Sequence, residues 1–116
     1  MVRRGDVVWV DFEPVRGSES NKRRPAVVIS NDGANATVSR TGRGVVTVVP
    51  ITSNVAVIHP FQVSIPQDTC GLKQPSKAQA EQVRSVDVAR LSGPIGRLSW
   101  SLRDDLDDAL RLHLAL

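Results

Sequence analysis

The sequence predicts a mainly β fold, a small barrel or sandwich with a helix at one end. Two observations carry this prediction. Short runs rich in valine and other β-forming residues, such as VVWVDF and VVTVV, are separated by Gly, Pro and Asn turn signals. The last part of the chain instead repeats leucine and alanine at helical spacing. With 116 residues the chain has the length of one domain, predicted to span residues 1–116.

Four strands follow from the β-forming runs, and a fifth segment is ambiguous. The strands are predicted over residues 7–12, 26–30, 45–49 and 61–65, with Pro50 ending the third. Residues 77–86 (KAQAEQVRSV) combine helix-favouring Ala and Gln with valines that do not decide. The neighbouring strands favour a strand for this segment.

Turn-forming residues predict the connections. Asn31, Asp32 and Gly33 form a strong turn signal, and the polar, glycine-punctuated residues 34–44 predict a mobile excursion. Residues 66–75 form a further loop. Ser85 or Asp87 is expected to cap a short helical turn that extends through Leu91.

The C-terminal helix has the clearest signature. Ser101 and Asp104 fit a capping box, and acidic side chains favour a helix N-terminus. The apolar positions that recur at helical spacing are Leu102, Leu106, Ala109, Leu110 and Leu114. This stripe predicts a helix that packs on the body along one face.

Composition limits the possible functions. Residues 1–98 carry 13 Lys/Arg against 8 Asp/Glu, which favours a polyanionic partner. Aromatic residues make up only 3%, so base stacking on an aromatic platform is excluded as the main binding device. Cys70 is alone, which excludes an internal disulfide and a cysteine-based zinc site. A secretory signal and an apolar run of ~20 residues are both missing, so a cytoplasmic protein without a membrane span is expected.

Familiar catalytic and metal-binding patterns are missing. The sequence contains no HExxH, nucleophile elbow, P-loop or dinucleotide fingerprint. His59 and His113 are expected to be structural or solvated. The four aspartates at positions 104, 105, 107 and 108 point in different directions on a helix, so they predict a solvated face and no metal site.

The stretch GSESNKRRPAVVIS joins a polar, basic loop to a strand. Pro25 keeps Arg24 out of helical geometry, so Arg24 is expected at a rigid strand end with its guanidinium pointing outward. The hydrogen-bonding and cationic groups at predicted strand ends are Glu19, Arg24, Thr52, Ser53, Glu81, Gln82 and Arg84. Such groups suit phosphodiester chemistry, because RNA can be cleaved by its own 2′-OH without a metal. Arg24 would stabilise charge, Thr52 would donate a hydroxyl, and Glu19 would transfer a proton.

The order of several motifs resembles the MazF/PemK family of toxin endoribonucleases of type II toxin–antitoxin systems. The motifs are RRGDVVWVDFEPVRGSESNKRRPAVVISND, then VVPITS, then AEQVRSVDVARLSGPIGRLS and a final amphipathic helix. The resemblance implies a small SH3-like β-barrel with helical additions, a homodimer, and cofactor-free, metal-independent cleavage of single-stranded RNA. It implies products with a cyclic phosphate and a free 5′-hydroxyl.

The resemblance also assigns roles to residues. Arg24 and Thr52 would be the catalytic pair, and Glu19, Gln82 and the loop of residues 14–23 would contact RNA. Together with the strand-end groups, the RNA-binding set predicted for this chain is Arg16, Ser18, Ser20, Lys22, Arg23, Ser53, Glu81, Gln82 and Arg84. Because the pKa of arginine is above ~12, Arg24 is assigned a charge-stabilising and proton-donating role, and Glu19 or water takes the 2′ proton.

The expected partners are RNA and a cognate antitoxin whose acidic, disordered tail would fold over the basic groove and block it. Two alternatives stay open at the level of sequence. One is a CcdB-like toxin that poisons a protein target such as DNA gyrase, and the other is a non-catalytic RNA-binding barrel. Composition does not separate a binding module from an enzyme, because both carry the same charge pattern.

Overall fold

The computed structural model describes residues 1–12 and 23–116, which form one antiparallel sheet and two α-helices. The strands are β1 (Asp6–Asp11), β2 (Arg23–Val28), β3 (Val45–Thr52), β4 (Gln62–Ile65), β5 (Ser76–Gln79), β6 (Arg84–Asp87) and β7 (Leu91–Arg97). The helices are α1 (Asp32–Thr41) and α2 (Trp100–Leu114), and 3-10 turns cover Ala80–Gln82 and Val88–Arg90. The predicted mainly β class with a short helix and a C-terminal helix is confirmed.

The sheet has the strand order β4-β5-β3-β2-β1-β7, with β6 paired to β3 beside β5. All of these pairings are antiparallel. Within the described residues, the end strands β4 and β7 are not paired to each other, so the sheet is an open one. Strand β3 is central because β2 lies along one of its edges and both β5 and β6 lie along the other.

Apolar side chains cover both faces of the central strands. Val7, Val27 and Val49 belong to a core that α2 closes with Leu106 and Leu110. Residues one position along each strand, including Val8, Val28 and Val48, form a second core that α1 reaches with Val38. Neighbouring valines are both buried because successive side chains of a strand point to opposite faces.

Helix α1 corrects the sequence prediction, since residues 34–44 are not an open excursion. The turn signal at Asn31 is a helix cap, whose side chain accepts a hydrogen bond from Ala34 N. Gly42 ends the helix in the left-handed conformation at φ 69°. Asn35 is fully buried and donates to Ser30 O at 2.9 Å. The residue types that cap helices also form turns, so the sequence alone does not distinguish a helix from a loop here. The buried contacts of Asn35 and Val38 favour the helix.

Three strands also differ from the prediction. Strand β2 runs over Arg23–Val28 and not over residues 26–30, because its first three residues pair with β1. Strand β3 continues through Pro50 to Thr52, because Ile51 and Thr52 pair with Ala78 and Lys77 of β5. The sequence LSGPIGR predicts no strand, yet it forms β7 along β1 with register irregularities on both sides of Val8. Glycine and proline have a low intrinsic preference for strands, so the sequence of this segment does not predict one. The strand forms because the edge of β1 provides hydrogen-bond partners for its backbone.

The ambiguous segment of residues 77–86 is mainly extended. It runs along β3 as β5 and β6, with the 3-10 turn Ala80–Gln82 between them. Of the two proposed caps, Asp87 is the one used, since its carboxylate accepts from Ala89 N at 2.8 Å. The turn it caps, Val88–Arg90, ends before Leu91.

Helix α2 begins two residues earlier than the Ser101–Asp104 capping box predicts. Ser99 is the N-cap, with its hydroxyl accepting from Leu102 N at 3.2 Å. Leu106, Ala109 and Leu110 are buried as expected, whereas Leu114 is exposed. In the described part of the chain, no helix is both long and apolar enough to cross a membrane.

The loop between β4 and β5 packs its backbone directly against β7. A methyl group added at Gly71 would lie 2.1 Å from Ile95 O, and one at Gly96 would lie 2.3 Å from Cys70 O. Gly71 also has a φ of 80°. A side chain at either position therefore forces two backbone segments apart.

Gly71→Ala is expected to lower the free energy of unfolding by about 3 kcal/mol, because it combines a positive φ with a backbone clash. Gly42→Ala is the matched control, since Gly42 has φ 69° and open space around it. It should cost only about 1 kcal/mol. Urea unfolding of both variants measures the difference, and equal losses would contradict the close packing of this loop on β7.

Asp32 at the start of α1 predicts a pH effect on stability. The hydrogen bond from Arg4 N to its carboxylate holds the pKa of Asp32 below its usual value. A lowered pKa in the folded state stabilises the fold above the unfolded pKa, and that contribution is lost as the pH falls through the folded pKa. Between about pH 5 and pH 3, Asp32→Asn should therefore lose less Tm than the wild type. A steeper loss in the variant would contradict this.

Candidate active site

Strand register places four polar residues in one row across the sheet. Thr52 of β3 is paired with Lys77 of β5, and Lys77 is paired with Ser64 of β4. On the other edge of β3, Ala26 of β2 pairs with Pro50, and Arg24 and Thr52 each lie two residues beyond that pair, so side-chain alternation puts both on the same face of the sheet. Directly paired residues of neighbouring strands point to the same face. Arg24, Thr52, Lys77 and Ser64 therefore form what we call the polar row.

Arg24 lies near the start of β2, where it pairs with Val10 of β1. Its side chain is exposed. Within residues 1–12 and 23–116, its guanidinium has neither a hydrogen-bond nor an ion-pair partner. The following Pro25 is part of the strand and pairs with Trp9, as expected for an arginine held in extended backbone. The free donors of Arg24 are available for an anion.

Thr52 ends β3 and is half-buried. Its Oγ1 accepts a hydrogen bond from Asn54 N at 3.2 Å. A hydroxyl can accept and donate at the same time, so the Thr52 O–H remains available to donate. Thr52 thus offers one donor in the same row as the five donors of Arg24.

Lys77 is a member of the polar row that the sequence analysis does not single out. Its side chain is 8% exposed, and its Nζ donates to Val57 O at 2.6 Å. A lysine in a segment predicted as strand is the only signal that the sequence offers. Its place beside Thr52 depends on the register between β3 and β5, which the sequence does not reveal.

Two further arginines stack on aromatic rings close to this end of the sheet. The Arg84 guanidinium lies 5.4 Å from the centroid of the Phe12 ring. Arg84 pairs with Val48 of β3, so it shares the face of the polar row. Arg23 lies 5.6 Å from the Trp9 ring and donates to Ser92 Oγ at 2.8 Å. These contacts fix the two charges while leaving both residues exposed.

The predicted residues of the turn Ala80–Gln82 differ in their availability. Glu81 accepts two hydrogen bonds from Gln62 Nε2, at 2.9 and 2.8 Å, and so ties the turn to β4. Gln82 is exposed, as is Ser53 after β3. The predicted residues Arg16, Ser18, Glu19, Ser20 and Lys22 lie outside the described part of the chain.

A cleft of about 440 Å³ opens next to the polar row. Its apolar walls include Trp9, Pro25 and Ile51, with Thr52 and Ser53 at its edge. By strand alternation, Pro25 and Ile51 point to the face opposite Arg24, and Arg24 does not line the cleft. Arg24 is not among the residues that line this cleft, so we base the site on the polar row.

Metal chemistry finds no support in the residues that the structure describes. They contain no group of three or more His, Cys, Asp or Glu side chains that could hold an ion. His59 stacks on Phe61 with ring centroids 5.1 Å apart, and His113 lies 6.3 Å from the same ring. Both histidines thus have structural contacts. The polar row offers hydrogen-bond donors and positive charge, which are what a phosphodiester transition state requires.

Comparisons with known proteins agree on one family. A family model described as PemK-like, MazF-like toxin of type II toxin-antitoxin system matches residues 3–114. Endoribonuclease MazF9 of Mycobacterium tuberculosis is 58% identical over 100% of this chain and 98% of its own length. Endoribonuclease EndoA of Bacillus subtilis is 37% identical over 100% and 97% of the two chains.

Solved structures give the same result. A crystal structure titled MazE-MazF, from Deinococcus radiodurans, has a TM-score of 0.78 and 27% identity to this chain, and covers 99% of it and 96% of that chain. A MazF structure from the same organism has a TM-score of 0.75 and 28% identity, with coverage of 99% and 97%. The chain therefore belongs to the PemK-like, MazF-like family of toxins of type II toxin–antitoxin systems.

Proposed function

We propose that this chain is an endoribonuclease toxin that cleaves single-stranded RNA at the polar row without a metal. The observation that supports the proposal is that strand alternation puts Arg24, which has no side-chain partner among residues 1–12 and 23–116, on the same face as Thr52, whose hydroxyl keeps a proton to donate. Relatives similar over their whole length are named endoribonucleases, which supports the enzyme class. Action in the cytoplasm is part of the proposal.

The proposed reaction is an attack of the ribose 2′-oxygen on the adjacent phosphorus. The new P–O2′ bond forms as the P–O5′ bond breaks, giving a 2′,3′-cyclic phosphate and a 5′-hydroxyl. Glu19 or water takes the 2′ proton, and Arg24 transfers a proton to the leaving 5′-oxygen. Arg24 and Thr52 also hydrogen-bond the phosphate oxygens, where negative charge increases in the transition state.

RNA binding is assigned to the exposed groups around the row. Arg23 and Arg84 are exposed cations whose aromatic contacts leave donors free for phosphates. Ser53 and Gln82 add exposed hydrogen-bonding groups. The proposal also assigns RNA contacts to Arg16, Ser18, Ser20 and Lys22, which precede β2 in the sequence and lie outside the described residues. Glu81 contributes indirectly, because its bonds to Gln62 position the turn that carries Gln82.

We further propose a homodimer and a cognate antitoxin. A two-fold interface would bring two basic surfaces into one groove with more phosphate contacts than one copy offers. The Deinococcus radiodurans relative was solved with MazE, which supports an antitoxin partner for this chain. An acidic, disordered antitoxin tail would complement the arginines around the polar row and compete with RNA.

Cleavage of a mixed-sequence single-stranded RNA in EDTA tests the proposal. The wild type should make discrete cuts with cyclic phosphate ends, and Arg24→Ala should lower the rate by about a hundredfold or more, because a transition-state donor is lost. Arg111→Ala, on the outer side of α2, is the control and should cleave normally. Cleavage by Arg24→Ala at the wild-type rate would overturn the role of Arg24. RNA binding without any cleavage would favour a non-catalytic module.

The salt dependence of RNA binding tests the role of Arg84. If Arg84 contacts one phosphate, Arg84→Met should reduce the slope of log K against log[salt] by about 0.7. Arg111→Met removes the same charge on the opposite side of the sheet and should leave the slope unchanged. Filter binding with the catalytically impaired Arg24→Ala protein avoids cleavage during the measurement. Equal slopes for the Arg84 and Arg111 variants would remove Arg84 from the RNA-binding surface.

A further inference from the structure

Lys77 is a buried cation to which the proposed mechanism gives no role. Only 8% of the residue is exposed. Within the described residues, its Nζ has one hydrogen-bond partner, Val57 O, at 2.6 Å. Burying an ammonium group costs free energy unless it is well paired, and an apolar side chain of similar length would avoid that cost. A buried lysine beside a proposed catalytic residue therefore calls for a functional explanation.

The contacts of Lys77 close a ring that includes Thr52. The two residues are partners in the pairing of β3 with β5. From Thr52 the chain turns back through two local hydrogen bonds, because Thr52 Oγ1 accepts from Asn54 N and Asn54 Oδ1 accepts from Ala56 N. The next residue is Val57, whose carbonyl accepts from Lys77. We call this ring the Lys77 clamp.

The Lys77 clamp has a direct consequence for the Thr52 hydroxyl. The bond from Asn54 N occupies an acceptor position of Oγ1, which restricts how the O–H can rotate. Lys77 binds Val57 O at the far end of residues 53–57 and so restrains the segment that carries the Asn54 N–H. Segments with exposed apolar side chains, such as Val57 and Ile58, would otherwise have few contacts to keep them in place.

We propose that Lys77 is a positioning residue that holds the Thr52 hydroxyl in the orientation needed to donate to the scissile phosphate. This inference rests on the proposed function. Lys77 acts through Thr52, because its ammonium group binds a carbonyl of the protein. Loss of the clamp is expected to affect kcat more than KM, since the Thr52 hydrogen bond is strongest when charge develops on the phosphate.

A double-mutant cycle tests whether Lys77 acts through Thr52. The proteins are the wild type, Lys77→Met, Thr52→Val and the double variant, and the readout is the single-turnover cleavage rate of a short RNA containing one mapped site. Lys77→Met alone should lower the rate by about tenfold. In the Thr52→Val background it should have no further effect, because the hydroxyl that it positions is already missing. Arg111→Met controls for the loss of one positive charge.

Thermal unfolding separates positioning from structural damage. Met keeps most of the Lys77 stem and removes a buried charge, so the Tm of Lys77→Met should equal or exceed that of the wild type. Asn54→Ala opens the same ring from an exposed residue and provides a second variant if Lys77→Met folds poorly. It should also lower the rate only when Thr52 is present.

The outcomes distinguish this inference from the proposed function. A wild-type rate for Lys77→Met, or the same loss with and without the Thr52 hydroxyl, would overturn the positioning role while leaving Thr52 in the mechanism. A wild-type rate for Thr52→Val would overturn both. The Lys77 clamp is supported if Thr52→Val lowers the cleavage rate and if Lys77→Met and Asn54→Ala cause no further loss of rate in the Thr52→Val background.

Discussion

Strand β3 is paired along both of its edges, and the register of those pairings determines which polar side chains can act together. Pairing with β2 puts Arg24 on the same face of the sheet as Thr52, and pairing with β5 sets Lys77 directly beside Thr52. A shift of one residue on either edge would turn the partner side chain to the other face of the sheet. The register is fixed because both faces of β3 are buried, with Val48 and Val49 in different cores.

The two cores are therefore also the support of the proposed site. Helix α2 closes the core that contains Val49 and Ile51, and α1 covers the core that contains Val48. Exposed polar residues follow the buried apolar runs at the start of β2 and at the end of β3. A rigid sheet carries the charged groups at these ends, so they need little reorganisation when a phosphate binds.

Residue patterns predicted the parts of the site that depend on local sequence. The contrast between KRR and PAVVI predicts a strand from Ala26 with Arg24 just before it, whereas the strand begins at Arg23, because Arg23, Arg24 and Pro25 pair with β1. The sequence predicts a loop where α1 forms, because Asn31 and Gly42, which cap the helix, are residue types that also form turns. Strand β7 was missed because its glycines and proline form a strand only along the edge of β1.

By itself, the sequence determined the mainly β class, the amphipathic α2 and the two residues proposed for catalysis. The fold class and α2 follow from hydrophobic periodicity, which is a local property of the chain, and the roles proposed for Arg24 and Thr52 follow from the resemblance of the motifs to the MazF/PemK family. Only the tertiary structure decided that Lys77 and Thr52 are neighbours and that Glu81 is bound by Gln62. Gln62 and Glu81 are 19 positions apart in the sequence, and Thr52 and Lys77 are 25 positions apart. Strand register brings the members of each pair together, and that register arises from the packing of the whole sheet.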